Sequence, residues 1–324
     1  MSIPLYLHFF ALVSAVFWVA FDPGFEPIVV IFGLLASLVR LLNNRKNNEL
    51  HVEEEDAIPS SISNQSSDIR KASETEVQQV TKRFCQVLNL MNENRSYDKY
   101  TIAKLAQLLS LPTISELENV FEGKNEPSFQ FMEDFCKIFG VNKDWLAEGK
   151  STPYFSDDAT HFNPLDYFEE IRATNPDKIY FVLCKSDVGE TLIVLKFTDW
   201  KFRILHRTWH ISSHVGGGGQ RQIYGMYRLI NKLRNEGFYT KCSGRILNKD
   251  IFRKLVSGKV FPGAVIDHPM IENPWWDDFT DVYQKYPIAE NYEIMYGKGF
   301  SYAQSVVRWN LKDEEKRRSA NPSL

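Results

Sequence analysis

The hydrophobic pattern divides the chain into three regimes. Residues 3–21 form an apolar run in which His8 and Ser14 are the strongly polar side chains. At about 19 residues it is long enough to cross a hydrocarbon core of roughly 30 Å. A second run, 27–42, carries Arg40 as its one charge, and an arginine near a helix end can snorkel to the headgroups. Between them FDPGFEP breaks the helix, so the pattern predicts a two-helix transmembrane hairpin over residues 1–46. Arg40, Arg45 and Lys46 follow the second run while the turn holds Asp22 and Glu26, which places both ends in the cytoplasm. The first run lacks a basic start and a small-residue cleavage site, so it is expected to be retained. A buried soluble hairpin or one interfacial helix fits the same pattern.

Residues 47–75 are polar, serine-rich and acidic around Glu53, Glu54, Glu55 and Asp56, a composition that predicts a flexible tether. Helical periodicity begins at Glu76, with Val80, Phe84, Val87, Leu88 and Met91 on one face. Leu105, Ala106 and Leu109 predict a second helix, SLP a turn, and Thr113 with Glu116 a capping box for a third helix whose Ile114, Leu117 and Phe121 point inward. Ser128 is placed to cap a fourth, with Phe131, Met132, Phe135, Ile138 and Phe139 as its core stripe.

Beyond His161 strand signals appear, with turns at SDVG and TDW. KIYFVLCK, ETLIVLKF and KFRILHRTWHIS predict three strands in an antiparallel meander, followed by a helix over QRQIYGMYRLINKLRN, a strand at KCSGRIL and a helix at NKDIFRKLVSG. Trp275 and Trp276 are expected as core or interface anchors. The expected fold class is α+β, with the transmembrane hairpin (1–46), the linker (47–75), an all-α domain (76–155) and a mixed α/β ligand or sensor domain with an antiparallel sheet (156–324).

Charge adds what pattern alone does not show. The net charge is -3 over 324 residues, yet residues 201–259 hold thirteen Lys and Arg against Glu236 and Asp250, a local net of about +11. Strand alternation puts Lys201, Arg203, Arg207 and Trp209 on one face, and helical spacing groups Arg221, Arg228 and Lys232 opposite the apolar stripe. Such faces suit a polyanion; pairing with the acidic segment around residues 267–293 explains the same segregation. The run HVGGGGQRQ lacks the ending of a nucleotide-hydrolysing loop and reads first as a flexible linker. His206, His210 and His214 repeat every four residues, but on a strand the outer pair would lie about 26 Å apart, too far to share an ion. Four cysteines without paired short spacing indicate free thiols in a reducing compartment. No nucleophile, base and orienter stand out, so neither an enzyme nor a cofactor is expected.

The segment 102–128, with its helix, turn and helix, the Glu122-Gly123 ending, the Pro-Ser helix start and the later VNKDWL, resembles the XRE or Cro-repressor class of helix-turn-helix. The resemblance covers about residues 76–155 and implies a reading helix that enters the DNA major groove. It puts Lys104, Ser115 and Asn119 at candidate contacts. The same outward face holds Glu116, Glu118 and Glu122, and residues 96–150 carry nine acidic side chains against six lysines. Carboxylates oppose the phosphate field that supplies most affinity. Two functions therefore stand side by side: a membrane-anchored transcriptional regulator at a bacterial inner membrane, with its soluble domains in the cytoplasm, or a membrane-perturbing effector of a defence or toxin-like system. The expected partners are the lipid bilayer, nucleic acid, and a second copy or another protein at the helix-turn-helix.

Overall fold

A computed structural model describes residues 75–155, 160–267, 273–283 and 289–320. All belong to the compact unit Ala72–Leu324.

Five helices come first. In α1 (Glu76–Asn92) Thr75 and Gln78 form a reciprocal capping box, and Val80, Phe84, Val87 and Met91 are buried. The Thr101 hydroxyl caps α2 (Ile102–Leu108), which buries Leu105 and Ala106. Ser110 then takes a left-handed φ of 56°, which turns the chain into α3 (Ile114–Phe121). Here the expected capping box is absent: the Thr113 side chain accepts from no backbone N–H of the helix and lies 3.5 Å from the Glu116 carboxylate instead. Leu117, Val120 and Phe121 are buried, whereas Ile114, expected inward, is 46% exposed. Ser128 caps α4 (Phe129–Phe139), which ends on Gly140 in the left-handed region, and Asn142 caps α5 (Lys143–Glu148). The Arg83 guanidinium donates to the Leu146 and Ala147 carbonyls at 2.9 and 2.8 Å, satisfying the end of α5 from α1.

A 3-10 turn at Pro164–Tyr167 and α6 (Phe168–Thr174) lead to β1 (Lys178–Cys184), β2 (Glu190–Thr198) and β3 (Lys201–His210). The long helix α7 (Gly217–Asn235) then carries the chain to β4 (Cys242–Leu247), followed by α8 (Lys249–Val256), α9 (Pro262–Ile266), α10 (Trp275–Thr280), α11 (Ala289–Tyr296) and α12 (Phe300–Ala320). The glycine run expected as a flexible linker opens α7, with Gly217 as its first residue.

The sheet order is β3-β2-β1-β4. β1 and β2 pair antiparallel, as do β2 and β3, but β4 lies parallel to β1 with Ile179 opposite Cys242. The expected antiparallel sheet is therefore corrected to a mixed one. The physical reason is α7: a helical crossover from edge strand β3 to the far side of β1 returns the chain in the direction β1 already runs.

Both sheet faces are covered. Phe181, Ile193, Leu195, Leu205 and Trp209 share one core with Ile223, Met226 and Ile230 of α7 and with Trp275 and Trp276. On the other face Tyr180, Val182, Val194, Phe202 and Ile204 join Phe84, Phe135, Phe139 and Trp145 in a single cluster. The five-helix unit is thus one layer of the α/β body, continuous with it through packed aromatics.

The fold class needs a second correction. Among the described residues no helix is long and apolar enough to cross a membrane, so α+β with a four-stranded mixed sheet is the architecture. The hairpin placed over residues 1–46, and all but the last residue of the linker 47–75, lie outside the described residues.

Candidate functional site

Helix α3 is held from one side. Leu117, Val120 and Phe121 sink into the core against α1 and α2, which leaves Ser115, Glu116, Glu118 and Glu122 exposed. Lys104 is exposed on α2, where its own N–H donates to the Thr101 hydroxyl at 3.1 Å. Asn119 is half-buried, and its backbone carbonyl accepts from Lys124 and Asn125 N–H, which closes the end of α3. Lys124, just past that end, pairs with Glu122 at 2.5 Å. The three candidate contacts of this unit therefore lie on or beside one open surface whose net character is acidic.

The basic candidates fall elsewhere, and several already have partners. Arg203 meets Glu170 at 2.9 Å, and Lys232 meets Glu169 at 3.4 Å while its ammonium sits 3.9 Å from the Phe168 ring centroid. Arg207 lies over the Phe162 ring at 5.0 Å. Arg203 and Lys232 are thus drawn to the two carboxylates of α6, whose Glu169-Glu170 signal precedes the basic region in sequence. Arg221 and Arg228 remain exposed on α7. Arg207 shares its strand face with Leu205 and Trp209, the face that packs on α7, whereas the five-helix unit covers the opposite face. The sheet therefore separates the α7 group from Lys104, Ser115 and Asn119.

A polar cluster that sequence reasoning missed lies where the two layers meet. The Lys196 ammonium is 2.7 Å from both Asp199 and Asp267, and the Tyr180 hydroxyl donates to Asp267 at 2.5 Å. Buried Arg245 donates to the Ile266 and Gly244 carbonyls and to the Ser243 hydroxyl, with its guanidinium 5.1 Å from the Tyr180 ring centroid. Burial pushes the Asp267 carboxyl up, but the hydrogen bonds from Lys196 and Tyr180 outweigh it and hold the group below the usual carboxylate range. Burial likewise pulls the Lys196 ammonium down, and the two carboxylates more than offset that. Burial and the adjacent Asp267 both push the Tyr180 hydroxyl up. The signal available in sequence was the single lysine within the apolar run ETLIVLKF. A buried lysine needs a carboxylate, but nothing in the chain order pointed to Asp267.

Of the three histidines, His206 and His210 are on β3 and His214 lies past its end. The His206 ring nitrogens lie 3.0 Å from the Val256 carbonyl and 3.2 Å from the Tyr154 carbonyl, which gives that ring a structural role. Among the described residues no group of three or more His, Cys, Asp or Glu could hold a metal ion.

No family model, no curated protein and no solved structure matches the chain.

Proposed function

We propose that this protein is a regulator that binds DNA through the α2–α3 pair, in the manner of the XRE class its sequence resembles. One observation carries the reading: α3 is anchored from behind by Leu117, Val120 and Phe121, with Ser115, Glu116 and Glu118 open to a partner. The α/β body packs on the five-helix unit chiefly through α1 and α4, with the β2–β3 turn reaching Tyr100 just before α2. Lys104 supplies a phosphate contact, and the Asn119 amide is of the type that pairs with an adenine edge. The apolar runs within residues 1–46 carry no part of this reading.

The acidity of the same surface favours a second reading, in which α3 grips a basic protein segment and acts as the trigger-sensing part of an effector. Selection from a randomised duplex pool by protein beginning at Ala72 separates the two. A common motif that weakens with Asn119→Ala and Lys104→Ala supports DNA reading. Absence of any motif, with duplex binding that appears only after Glu116→Lys and Glu118→Lys, rejects it in favour of the protein partner.

A further inference from the structure

A groove lies at the seam between the five-helix unit and the sheet edge. About 570 Å³ in volume, it is bounded by the α4–α5 turn (Gly140 to Asp144) on one side and by Phe155, Phe197 and residues 201–204 of β3 on the other. That size falls within the range of small-ligand sites, roughly 300–1,000 Å³. The seam is tight next to it: a Cβ on Gly140 would stand 2.8 Å from the Phe202 carbonyl.

Lys201 stands at the mouth, lining both this groove and an adjoining depression that also contains Lys137, Asp134 and Trp200. Neither Lys201 nor Lys137 has an ion-pair partner among the described residues. The nearby cations Lys143 and Arg203 are shared with Glu133 at 3.8 Å and Glu170 at 2.9 Å. Of the two carboxylates in the paired depressions, Asp134 accepts from the Gln130 amide at 3.2 Å and Asp144 is exposed on α5. Burial first, and then the like charge of Lys137, pushes the Lys201 amine below its ordinary range. Lys201 of β3 and exposed Lys137 of α4 thus line one depression that adjoins the groove, where an anion would offset their like charge. Tyr154, Phe155, Phe197 and Phe202 give the wall an aromatic part: the Lys201 ammonium is 5.7 Å from the Phe197 ring centroid, and Phe155 lies 4.6 Å from the His206 ring.

We propose that this groove binds a small aromatic organic anion, its acidic group held between Lys201 and Lys137 and its ring against Phe197 and Phe155. One wall is the α4–α5 turn, so an occupied groove braces the five-helix unit on the sheet. The inference does not depend on which macromolecule α3 meets.

The test is calorimetric titration of the full chain with 2-naphthoate and, separately, with its uncharged analogue 2-naphthalenemethanol. Saturable binding of naphthoate is expected, weakened about tenfold by Lys201→Gln and by Lys137→Gln, the loss typical of one charge-assisted hydrogen bond. The alcohol should bind worse by a similar factor, and Lys312→Gln, exposed on α12 in the layer that covers the opposite face of the sheet, should change nothing. Melting temperatures of the variants show whether each remains folded. Naphthoate affinity that is indifferent to Lys201→Gln in a folded variant, equal affinity for the alcohol, or no saturation below about 1 mM, near the weak end of specific binding, would overturn the site.

Discussion

The Tyr100 hydroxyl donates to the Asp199 backbone carbonyl at 2.9 Å, tying the chain just before α2 to the turn between β2 and β3. Asp199 in turn holds Lys196 through its carboxylate at 2.7 Å, so one short turn links the helical unit to the buried ion pair. Tyr100→Phe keeps the ring in place and removes the hydroxyl, with an expected cost of about 1 kcal/mol. Tyr100→Ala also leaves a cavity and should cost about 3 kcal/mol or more. Urea denaturation of the two variants checks the ratio; equal losses would mean that the hydroxyl, not the packing, dominates.

Acid should weaken the fold through Asp267. Its carboxyl is held below the usual range in the folded protein, so the unfolded chain takes up that proton at a higher pH than the folded one. The stability it contributes is therefore complete above the ordinary carboxylate pKa and is lost as pH falls below about 4. Asp267→Asn should lower stability near neutral pH by about 3 kcal/mol, because Lys196 then keeps a buried charge with only Asp199 beside it. It should also flatten the acid limb of a stability-versus-pH curve. A variant whose acid limb matches that of the unaltered protein would place the acid-sensitive group elsewhere.

The helical stripes were legible because a 3.6-residue period survives without knowledge of the partner: Phe84, Val87, Phe135 and Phe139 are buried where the spacing put them. The three meander strands were legible as apolar, β-branched and aromatic runs set between turn signals. Strand direction was not, since KCSGRIL reads alike whether it pairs parallel or antiparallel and the α7 crossover decides. Nor was the capping box, because Thr-x-x-Glu at Thr113 and Thr-x-x-Gln at Thr75 carry the same signature and only the latter closes. Ser110 is a further case. A serine carries no glycine signal in sequence, yet it adopts the left-handed backbone that glycine would favour.

Two substitutions should therefore stabilise the protein. Ser110→Gly relieves a left-handed serine, a strain of about 1 kcal/mol that the greater freedom of glycine in the unfolded chain partly offsets. Tyr154→Phe removes a buried hydroxyl that has no hydrogen-bond partner among the described residues, and about 1 kcal/mol of desolvation cost with it. Both are read as rises in melting temperature. A fall for Tyr154→Phe would show that the hydroxyl is satisfied by bound water.

Polyanion binding by the basic region should rest on fewer residues than the sequence grouped. Arg203 and Lys232 are engaged by Glu170 and Glu169, and Arg207 covers the Phe162 ring, so each must give up a contact before it meets a phosphate. Arg221 and Arg228 are seven residues apart on the exposed side of α7 and need give up nothing of the kind. Each phosphate contact contributes about 0.9 to the slope of log affinity against log salt, so Arg221→Ala with Arg228→Ala should reduce that slope by about two. Adding Lys232→Ala should change the slope little further. It should instead lower the melting temperature, because its ammonium is lost from both Glu169 and the Phe168 ring. Binding of single-stranded and duplex DNA measured across salt, with melting curves on the same samples, separates the contributions. If the double variant leaves the slope unchanged, α7 is not the contact surface; if Lys232→Ala alone removes a full unit, its pairing with Glu169 opens on binding and the original grouping of three holds.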